Sequence, residues 1–447
     1  MKTKHFWQAG LWFLLLAAAG WMLTAVLIPS ARANAITVNT TDDEVNSDGD
    51  CSLREAVLAA NGDTAVDACT AGSGDDVITL PPGTFTLTLA GAGEDNGQTG
   101  DLDLTGNVTI NGGGQNSTII DGASADRIFD VQDGAQATLS GVTVQHGSTA
   151  SGGGVNVSGA LTVNASRITA NTATGVGGGI FVGGTLTVTR SRIDGNQANG
   201  GGGIYVSFLP TTILESEISG NSVTGGGGGI YSSGSLAVVN STLSGNTANG
   251  SGGGLYGVES PNIHLYNATI SANTADADGD ENGNGGGVFM LGSFSAANSL
   301  IGENADNSGS DRRPDCSGTL VSEGYNLVTN VTGCTISGDT ASNLLGAAPM
   351  LGPLQNNGGS TFTHALLSGS PAINAGNPGG CYNESGAPLT TDQRGFDRPA
   401  SGSPLCDIGA YEAGADGSPT PTPTATAVVT VTPTPAHSGY LPIIEKP

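Results

Sequence analysis

An internal repeat constrains the fold of this 447-residue chain more than any other feature. Asparagine recurs at spacings of 25, 25, 25, 27 and 31 residues, at Asn171, Asn196, Asn221, Asn246, Asn273 and Asn304. Three residues before each of these asparagines stands Ile or Leu, and five residues before it stands Ser or Ala. A fixed period of this length is typical of a solenoid, in which each repeat forms one turn.

The spacing of apolar residues within each repeat predicts short strands. The positions ten and eight before the asparagine are mostly aliphatic, and the positions five and three before it form a second pair. Each pair has the period of two that places side chains on one face of a strand, and the change of parity between the pairs requires a turn. A Gly-Gly-Gly run before an aliphatic residue, as at Ile180, indicates a third inward-facing strand.

Three short strands per repeat predict an all-β fold, a right-handed parallel β-helix of nine or ten turns. Turns would stack about 4.8 Å apart, so that Ile and Val columns form the core and the asparagine amides form a hydrogen-bonded ladder. The competing all-β interpretation is an array of antiparallel hairpins. That array needs two-residue turn signals and does not predict a fixed 25-residue column.

Changes in composition divide the rest of the chain. Residues 1–33 contain Lys2 and Lys4, an apolar run and Ala31-Arg32-Ala33, which predicts a cleaved signal peptide; an uncleaved membrane anchor is the alternative. Residues 34–76 form a predicted N-terminal cap with a short helix that begins with a capping box at Ser52–Glu55. We expect the solenoid over 77–345, a C-terminal cap over 346–413, and a Pro/Thr-rich linker with a short apolar tail over 414–447.

Charge limits the classes of partner. The chain has 39 acidic residues against 13 Lys and Arg, a formal net charge of −26. Nucleic acids are polyanions that need clustered basic side chains, so they are not expected partners. No second apolar run is long enough to span a bilayer, and we therefore predict a secreted or cell-surface protein without a transmembrane span in its mature chain.

Six cysteines in a chain with a signal peptide predict three disulfides. Pairing of nearest neighbours joins Cys51 to Cys69, Cys316 to Cys334, and Cys381 to Cys406. The sequence alone allows fifteen connectivities. Nearest-neighbour pairing is favoured because all six cysteines lie outside the regular repeats, where chain ends need fastening.

Three stretches resemble bacterial surface proteins. Cys51-Ser-Leu-Arg-Glu-Ala56 resembles the domain named after its CSLREA motif, and the repeats resemble those of polymorphic outer membrane proteins. Residues 349–412 resemble the choice-of-anchor Q domain, through motifs such as Asp392-Gln-Arg-Gly395 and Cys406-Asp-Ile-Gly-Ala-Tyr-Glu412. The resemblance implies a surface-associated β-helix of the pectin-lyase-like superfold, and these motifs carry no activity. The tail lacks the sorting signal that usually follows the anchor domain.

A charged patch is the first candidate site. Arg190 and Arg192 should face outward one turn from Glu215 and Glu217. Such a patch could bind sugar or act in catalysis, because sugar hydrolysis uses paired carboxylates and lyases use a basic residue. Cross-strand ion pairs on a solvated face are the simpler interpretation.

An acidic loop is the second candidate. Asp276, Asp278, Asp280 and Asn282 alternate with small residues in the insertion that lengthens two repeats. Alternating oxygen ligands suit Ca²⁺, although the distal Glu of an EF-hand loop is missing and a solvated acidic loop is the alternative. Asp42, Asp43, Asp48 and Asp50 make a similar case. No cofactor is required by any motif.

The hypothesis that follows is an adhesive or glycan-binding β-helix at the cell surface, with extracellular glycans or matrix components as partners. The rival is a polysaccharide lyase or glycoside hydrolase of the same superfold, since fold alone does not decide function. A third interpretation is a purely structural spacer. Three or more exposed aspartates on adjacent strands would favour the enzyme.

Overall fold

The computed structural model describes residues 34–91, 93–258, 262–383 and 385–415. These residues form a right-handed parallel β-helix of about nine turns, which confirms the predicted fold class. The predicted signal peptide and all but two residues of the predicted tail lie outside the described residues. Within the described part of the chain, no helix is long and apolar enough to cross a bilayer.

Parallel strands of the described residues form three sheets along the solenoid. The first sheet has 19 strands: Ala35–Thr37, Asp75–Thr79, Leu102–Leu104, Asn107–Asn111, Phe129–Val131, Gln136–Ser140, Val155–Val157, Ala160–Asn164, Ile180–Val182, Thr185–Thr189, Ile204–Val206, Thr211–Leu214, Ile230–Ser232, Leu236–Val239, Leu255–Gly257, Ile263–Tyr266, Val288–Ala297, Cys316–Ser322 and Cys334–Gly338. The second sheet has 11 strands: Gly83–Thr86, Thr118–Asp121, Thr143–Gln145, Arg167–Thr169, Arg192–Asp194, Glu217–Ser219, Thr242–Ser244, Thr269–Ser271, Leu300–Gly302, Leu327–Val328 and Leu344–Leu345. The third has seven: Ser148–Ser151, Thr172–Val176, Gln197–Ala198, Ser222–Val223, Thr247–Ala248, Thr274–Ala275 and Ala305–Asp306.

The middle turns contain one more strand than the sequence predicted. The third sheet is built from short strands, of which all but the first directly follow a repeated asparagine, and these strands were not expected. They are only two residues long in most turns, too short for an alternating apolar pattern to reveal. The register agrees with the repeat, because Ile180 pairs with Ile204 and Ile193 with Ile218 in parallel.

The core and the asparagine ladder follow from this stacking. The inward columns contain fully buried Ile, Val and Leu, including Ile168, Ile193 and Ile218. Each repeated asparagine donates from Nδ2 to Oδ1 of the next, at 2.9 to 3.0 Å from Asn171 through Asn304. Each Nδ2 also donates to a backbone carbonyl oxygen, so the buried amides are satisfied without water.

The Gly-Gly-Gly runs allow the turns to approach closely. The glycine three residues before the aliphatic residue has a positive φ, as at Gly177 (68°) and Gly227 (75°). A Cβ on the second glycine, Gly178, would lie 2.4 Å from a backbone oxygen of the next turn. Any side chain there would push the stacked turns apart, and this explains why the repeat keeps three consecutive glycines.

The one α-helix among the described residues, Leu53–Gly62, packs at the N-terminal end of the solenoid. Ser52 is its N-cap, and the predicted capping box with Glu55 is present. The helix ends at Gly62, and its C-cap residue, Asp63, has the left-handed conformation. The disulfide between Cys51 and Cys69 joins the residues on either side of this helix.

Residues 349–415, called here the C-terminal segment, lie against the flank of the solenoid. The segment contains one antiparallel pair, Leu351–Gln355 with Thr363–Leu366, and the disulfide between Cys381 and Cys406. The Cys316–Cys334 disulfide precedes it and joins two strands of the first sheet. Leu300 and Leu327 of the second sheet form a separate apolar cluster with Leu366, Ala372 and Ile408 of the segment.

Asparagines at the same position of three successive turns hold the C-terminal segment in place. Asn240 donates to the carbonyl oxygen of Thr391 at 3.0 Å, and Asn267 to that of Tyr382 at 3.0 Å. Asn298 donates to the carbonyl oxygen of Asp407 at 2.8 Å. The sequence analysis predicted that this outward face is solvated. The C-terminal segment instead covers it over these three turns.

Candidate functional site

Arg192 and Glu217, half of the predicted charged patch, form an ion pair in which Glu217 is buried and Arg192 is half-buried. Arg192 Nε lies 2.9 Å from Glu217 Oε2, and Glu217 has no exposed surface. Phe362 of the C-terminal segment covers the pair, since its ring centroid lies 4.0 Å from the guanidinium carbon and its N–H donates to Glu217 Oε2. The expected cross-strand ion pair is present, but its carboxylate is buried rather than solvated. Its contacts fasten the C-terminal segment to the solenoid.

Arg190 and Glu215, the other half, line a cavity. The cavity lies where the solenoid meets the C-terminal segment and has a volume of about 400 Å³. The remaining lining residues belong to the C-terminal segment: Gly359, Ser360, Thr391, Gln393, Arg394 and Gly395. Burial raises the pKa of the Glu215 carboxyl, and Arg190 opposes that shift. The sequence analysis correctly predicted that these two residues lie on adjacent turns. It did not predict that the C-terminal segment covers them.

An aromatic ladder is the main surface feature that the sequence analysis missed. Five outward-facing rings on successive turns of the first sheet stack on one another: Phe181, Tyr205, Tyr231, Tyr256 and Phe289. Each directly follows the aliphatic residue after a Gly-Gly-Gly run, so the signal was present in the repeat. The prediction considered only the inward-facing aliphatic residues and not the outward-facing aromatic residue that directly follows each of them.

The geometry of the ladder leaves part of each ring accessible. Successive ring centroids are 4.6 to 5.6 Å apart, and the planes differ by 6 to 19°. This is the offset-stacked arrangement, in which neighbouring rings overlap only partly. All five residues are half-buried. A row of ring surface with phenolic groups along it therefore faces outward.

Four aspartates cluster near the N-terminal end of the same outward column. Asp103 pairs in register with Asp130 of the next turn, and Asp101 and Asp126 lie nearby. Arg127 Nε lies 3.2 Å from Asp101 and its Nη1 lies 3.0 Å from Asp130. Burial raises the pKa of Asp101 to about 7. The sequence predicted no such cluster, yet three of its members are at least nine-tenths buried, so it is not the exposed cluster that would favour an enzyme.

The acidic loop brings its carboxylates together. One oxygen from each of Asp276, Asp278 and Asp280 lies within 4.8 Å of the others. Asp276 is fully buried, and its two oxygens accept the N–H groups of Asp280 and Glu281. Asn282 is exposed and donates its N–H to Asp280. These hydrogen bonds organise the loop by themselves, and Ca²⁺ binding stays a prediction.

A second group of carboxylates with the same spacing lies before the helix. It consists of Glu44, Asp48 and Asp50, of which the sequence analysis named the two aspartates. Asp43, also named there, is not part of the group. Its carboxylate pairs with Arg54 at 2.7 Å, and this contact ties the N-terminal stretch to the helix.

Comparisons with known proteins add the following. No family model matches the chain, and no curated protein matches its sequence. Among solved structures, the pectate lyase Pel9A is similar with a TM-score of 0.48 at 17% identity, covering 86% of this chain and 97% of the lyase. A pectin methylesterase variant bound to a hexasaccharide has a TM-score of 0.28 at 11% identity, covering 68% of this chain and 81% of the esterase. Similarity at these TM-scores and sequence identities does not indicate an activity for this chain.

Proposed function

We propose that the protein is an extracellular, surface-associated β-helix that binds polysaccharide along its aromatic ladder. The observation that carries the proposal is the row of five half-exposed rings on successive turns. Aromatic faces attract the weakly positive C–H groups of sugar rings through their quadrupole, and tyrosines add hydrogen-bonding groups. A linear array suits a linear polymer, because each turn repeats the same contact.

Binding is favoured over catalysis by the state of the charged groups. The Arg192–Glu217 pair is covered, and the aspartate cluster around Arg127 is largely buried. Glu215 is the one carboxylate among the described residues that line the 400 Å³ cavity. Hydrolysis of a glycosidic bond generally uses two carboxylates that flank it. The arrangement thus suits recognition of a sugar better than its cleavage.

An extracellular location and the surface-protein resemblance belong to the same proposal. Three disulfides and the absence of free cysteines among the described residues suit an oxidising compartment. The resembling motifs contain residues that are deeply buried here, such as Arg54, Asp392 and Glu412. These motifs would then encode the packing of the helix and of the C-terminal segment, as expected for domains that carry no activity.

The test is retention of the protein on insoluble polysaccharides, for which cellulose, chitin, xylan and pectin are the probes. We expect Tyr205→Thr together with Tyr231→Thr to weaken retention at least tenfold, because threonine suits the strand but provides no ring. Phe208→Ala is the matched control, since Phe208 is 79% exposed and lies outside the ladder. Equal weakening by the control would mean non-specific adsorption and would contradict the proposal.

A second measurement separates binding from catalysis. Release of reducing ends from the same polysaccharides is followed with added Ca²⁺ and with chelator. We expect no release under either condition. Release from any one substrate would make the protein a lyase or hydrolase instead.

A further inference from the structure

Arg190 and Glu215 occupy equivalent positions on adjacent turns, and the backbone at this position is unusual. Six successive turns place a residue with φ between 47° and 51° at the same position: Ala165, Arg190, Glu215, Asn240, Asn267 and Asn298. This left-handed conformation is unfavourable for residues with a Cβ, and asparagine tolerates it best among them. Three members of the column are asparagine, as the backbone favours. Arg190 and Glu215 are long charged side chains where the backbone favours a short amide.

The asparagines and the two charged residues have different environments. Asn240, Asn267 and Asn298 hold the C-terminal segment through side-chain hydrogen bonds. At the two turns before Asn240, Thr361 and Phe362 of the segment still contact the solenoid, but the segment leaves a cavity that Arg190 and Glu215 line. Strained residues that line a cavity are a recognised sign of function rather than of stability.

Neither Arg190 nor Glu215 has all of its hydrogen-bonding groups satisfied by described residues. Among the described residues, the Arg190 side chain makes one hydrogen bond, from Nη2 to Asn164 Oδ1 at 3.3 Å, although a guanidinium has five N–H groups. The Glu215 carboxylate makes no hydrogen bond or ion pair of its own with any described residue. Arg394 in the cavity wall is different, because Asp392 neutralises it and its Nη1 and Nη2 donate to the carbonyl oxygens of Asn357 and Glu412. The cavity therefore offers a donor group and an acceptor group, of opposite charge, to a ligand.

We infer that this cavity binds one neutral saccharide unit, with adjacent hydroxyls accepting from Arg190 and donating to Glu215. A hydroxyl can do both, and the two charges cancel, so that an anionic or cationic ligand would meet a like charge. The volume lies within the range of about 300–1,000 Å³ that small-ligand sites occupy. The ligand class rests on the proposed glycan-binding function, while the site is separate from the aromatic ladder.

Calorimetric titration with soluble sugars tests the inference. The probes are neutral methyl hexosides and disaccharides, with uronates and amino sugars as charged counterparts. We expect a neutral sugar to bind the whole protein, and Arg190→Asn and Glu215→Asn each to weaken binding about tenfold to a hundredfold, as the loss of a charged hydrogen-bonding group does. Because asparagine suits the left-handed backbone, both variants should unfold at the same temperature as the unchanged protein or higher.

Ala165→Asn is the matched control in the same column, and it should raise the unfolding temperature without changing sugar binding. Glu215→Gln keeps the shape of the side chain and should weaken binding even if Glu215→Asn does not fold. No binding of any neutral sugar, or equal binding by the variants, would overturn the inference, as would a preference for the charged probes. Retention on insoluble polysaccharide is measured in parallel. It depends on the aromatic ladder, so the Arg190 and Glu215 substitutions should leave it unchanged.

Discussion

Asn304 Nδ2 lies 3.0 Å from Oδ1 of Asp315, so the ladder of asparagine amides ends on a buried carboxylate. Oδ2 of the same aspartate accepts the N–H of Asn330 at 2.6 Å. Burial nevertheless raises the pKa of Asp315 to about 6, because these hydrogen bonds only partly replace the lost hydration. The end of the ladder therefore makes the stability of the fold sensitive to pH.

We predict that the protein is more stable at pH 5 than at pH 8. The folded state binds protons at Asp315 (pKa about 6) and Asp101 (pKa about 7), whereas the unfolded chain releases them above pH 4. The free energy of unfolding therefore rises as pH falls from 8 to 5, by on the order of 1.4 kcal/mol for Asp315 alone. The measurement is the unfolding temperature as a function of pH.

His364 acts in the opposite direction, but one group should not reverse the trend. Burial lowers the pKa of His364, which hydrogen-bonds to Ser244 and to the Gly352 carbonyl oxygen, so its protonation below pH 6.5 costs stability. Asp315→Asn should make the pH dependence smaller. An unchanged profile in that variant would show that Asp315 does not titrate in this range.

A second prediction concerns the middle of the asparagine ladder. Asn221→Ala should lower the free energy of unfolding by about 3 kcal/mol, because Asn196 and the carbonyl oxygen of Ile193 would lose their buried partners. Thr187→Ala is the control, since Thr187 is exposed on the first sheet, and it should change stability by less than about 0.5 kcal/mol. Urea unfolding of the two variants makes the comparison. Equal effects would mean that the ladder amides do not contribute to stability.

The repeated residues show how far sequence reasoning reached. The asparagine ladder and the inward-facing columns could be predicted because both depend on the repeat alone, and Asn171 to Asn304 occupy the expected positions. The position of the C-terminal segment could not, because it depends on contacts between residues far apart in the chain, such as Thr242 with Gln393. No local pattern indicated that the C-terminal segment packs against the candidate patch. Because it does, Arg192 and Glu217 lie beneath Phe362, whereas Arg190 and Glu215 line a cavity.

A third prediction tests the attachment of the C-terminal segment. Arg398 is fully buried, pairs with buried Glu412 at 3.2 Å and donates to Asn240 of the solenoid. Arg398→Ala would leave Glu412 buried without its partner, at a cost of about 3–5 kcal/mol. We expect faster amide exchange in residues 349–415 while the solenoid turns stay protected. Arg313→Ala, which removes an exposed pair with Asp311, should leave exchange in the segment unchanged.

The last prediction concerns the arginine of the CSLREA-like motif. Arg54 is fully buried, lies 2.7 Å from Asp43, and donates to the carbonyl oxygens of Gly97 and Gly100. Arg54→Met should destabilise the N-terminal end by about 3–5 kcal/mol, because it leaves Asp43 buried without a counter-charge. Arg54→Lys keeps the charge but has fewer donors in a different geometry, so an intermediate loss is expected. Amide exchange of the helix and of residues 93–101 measures both. If lysine restored full protection, charge alone would explain the contact; if methionine did, the arginine would have no structural role, and its burial would require a different explanation.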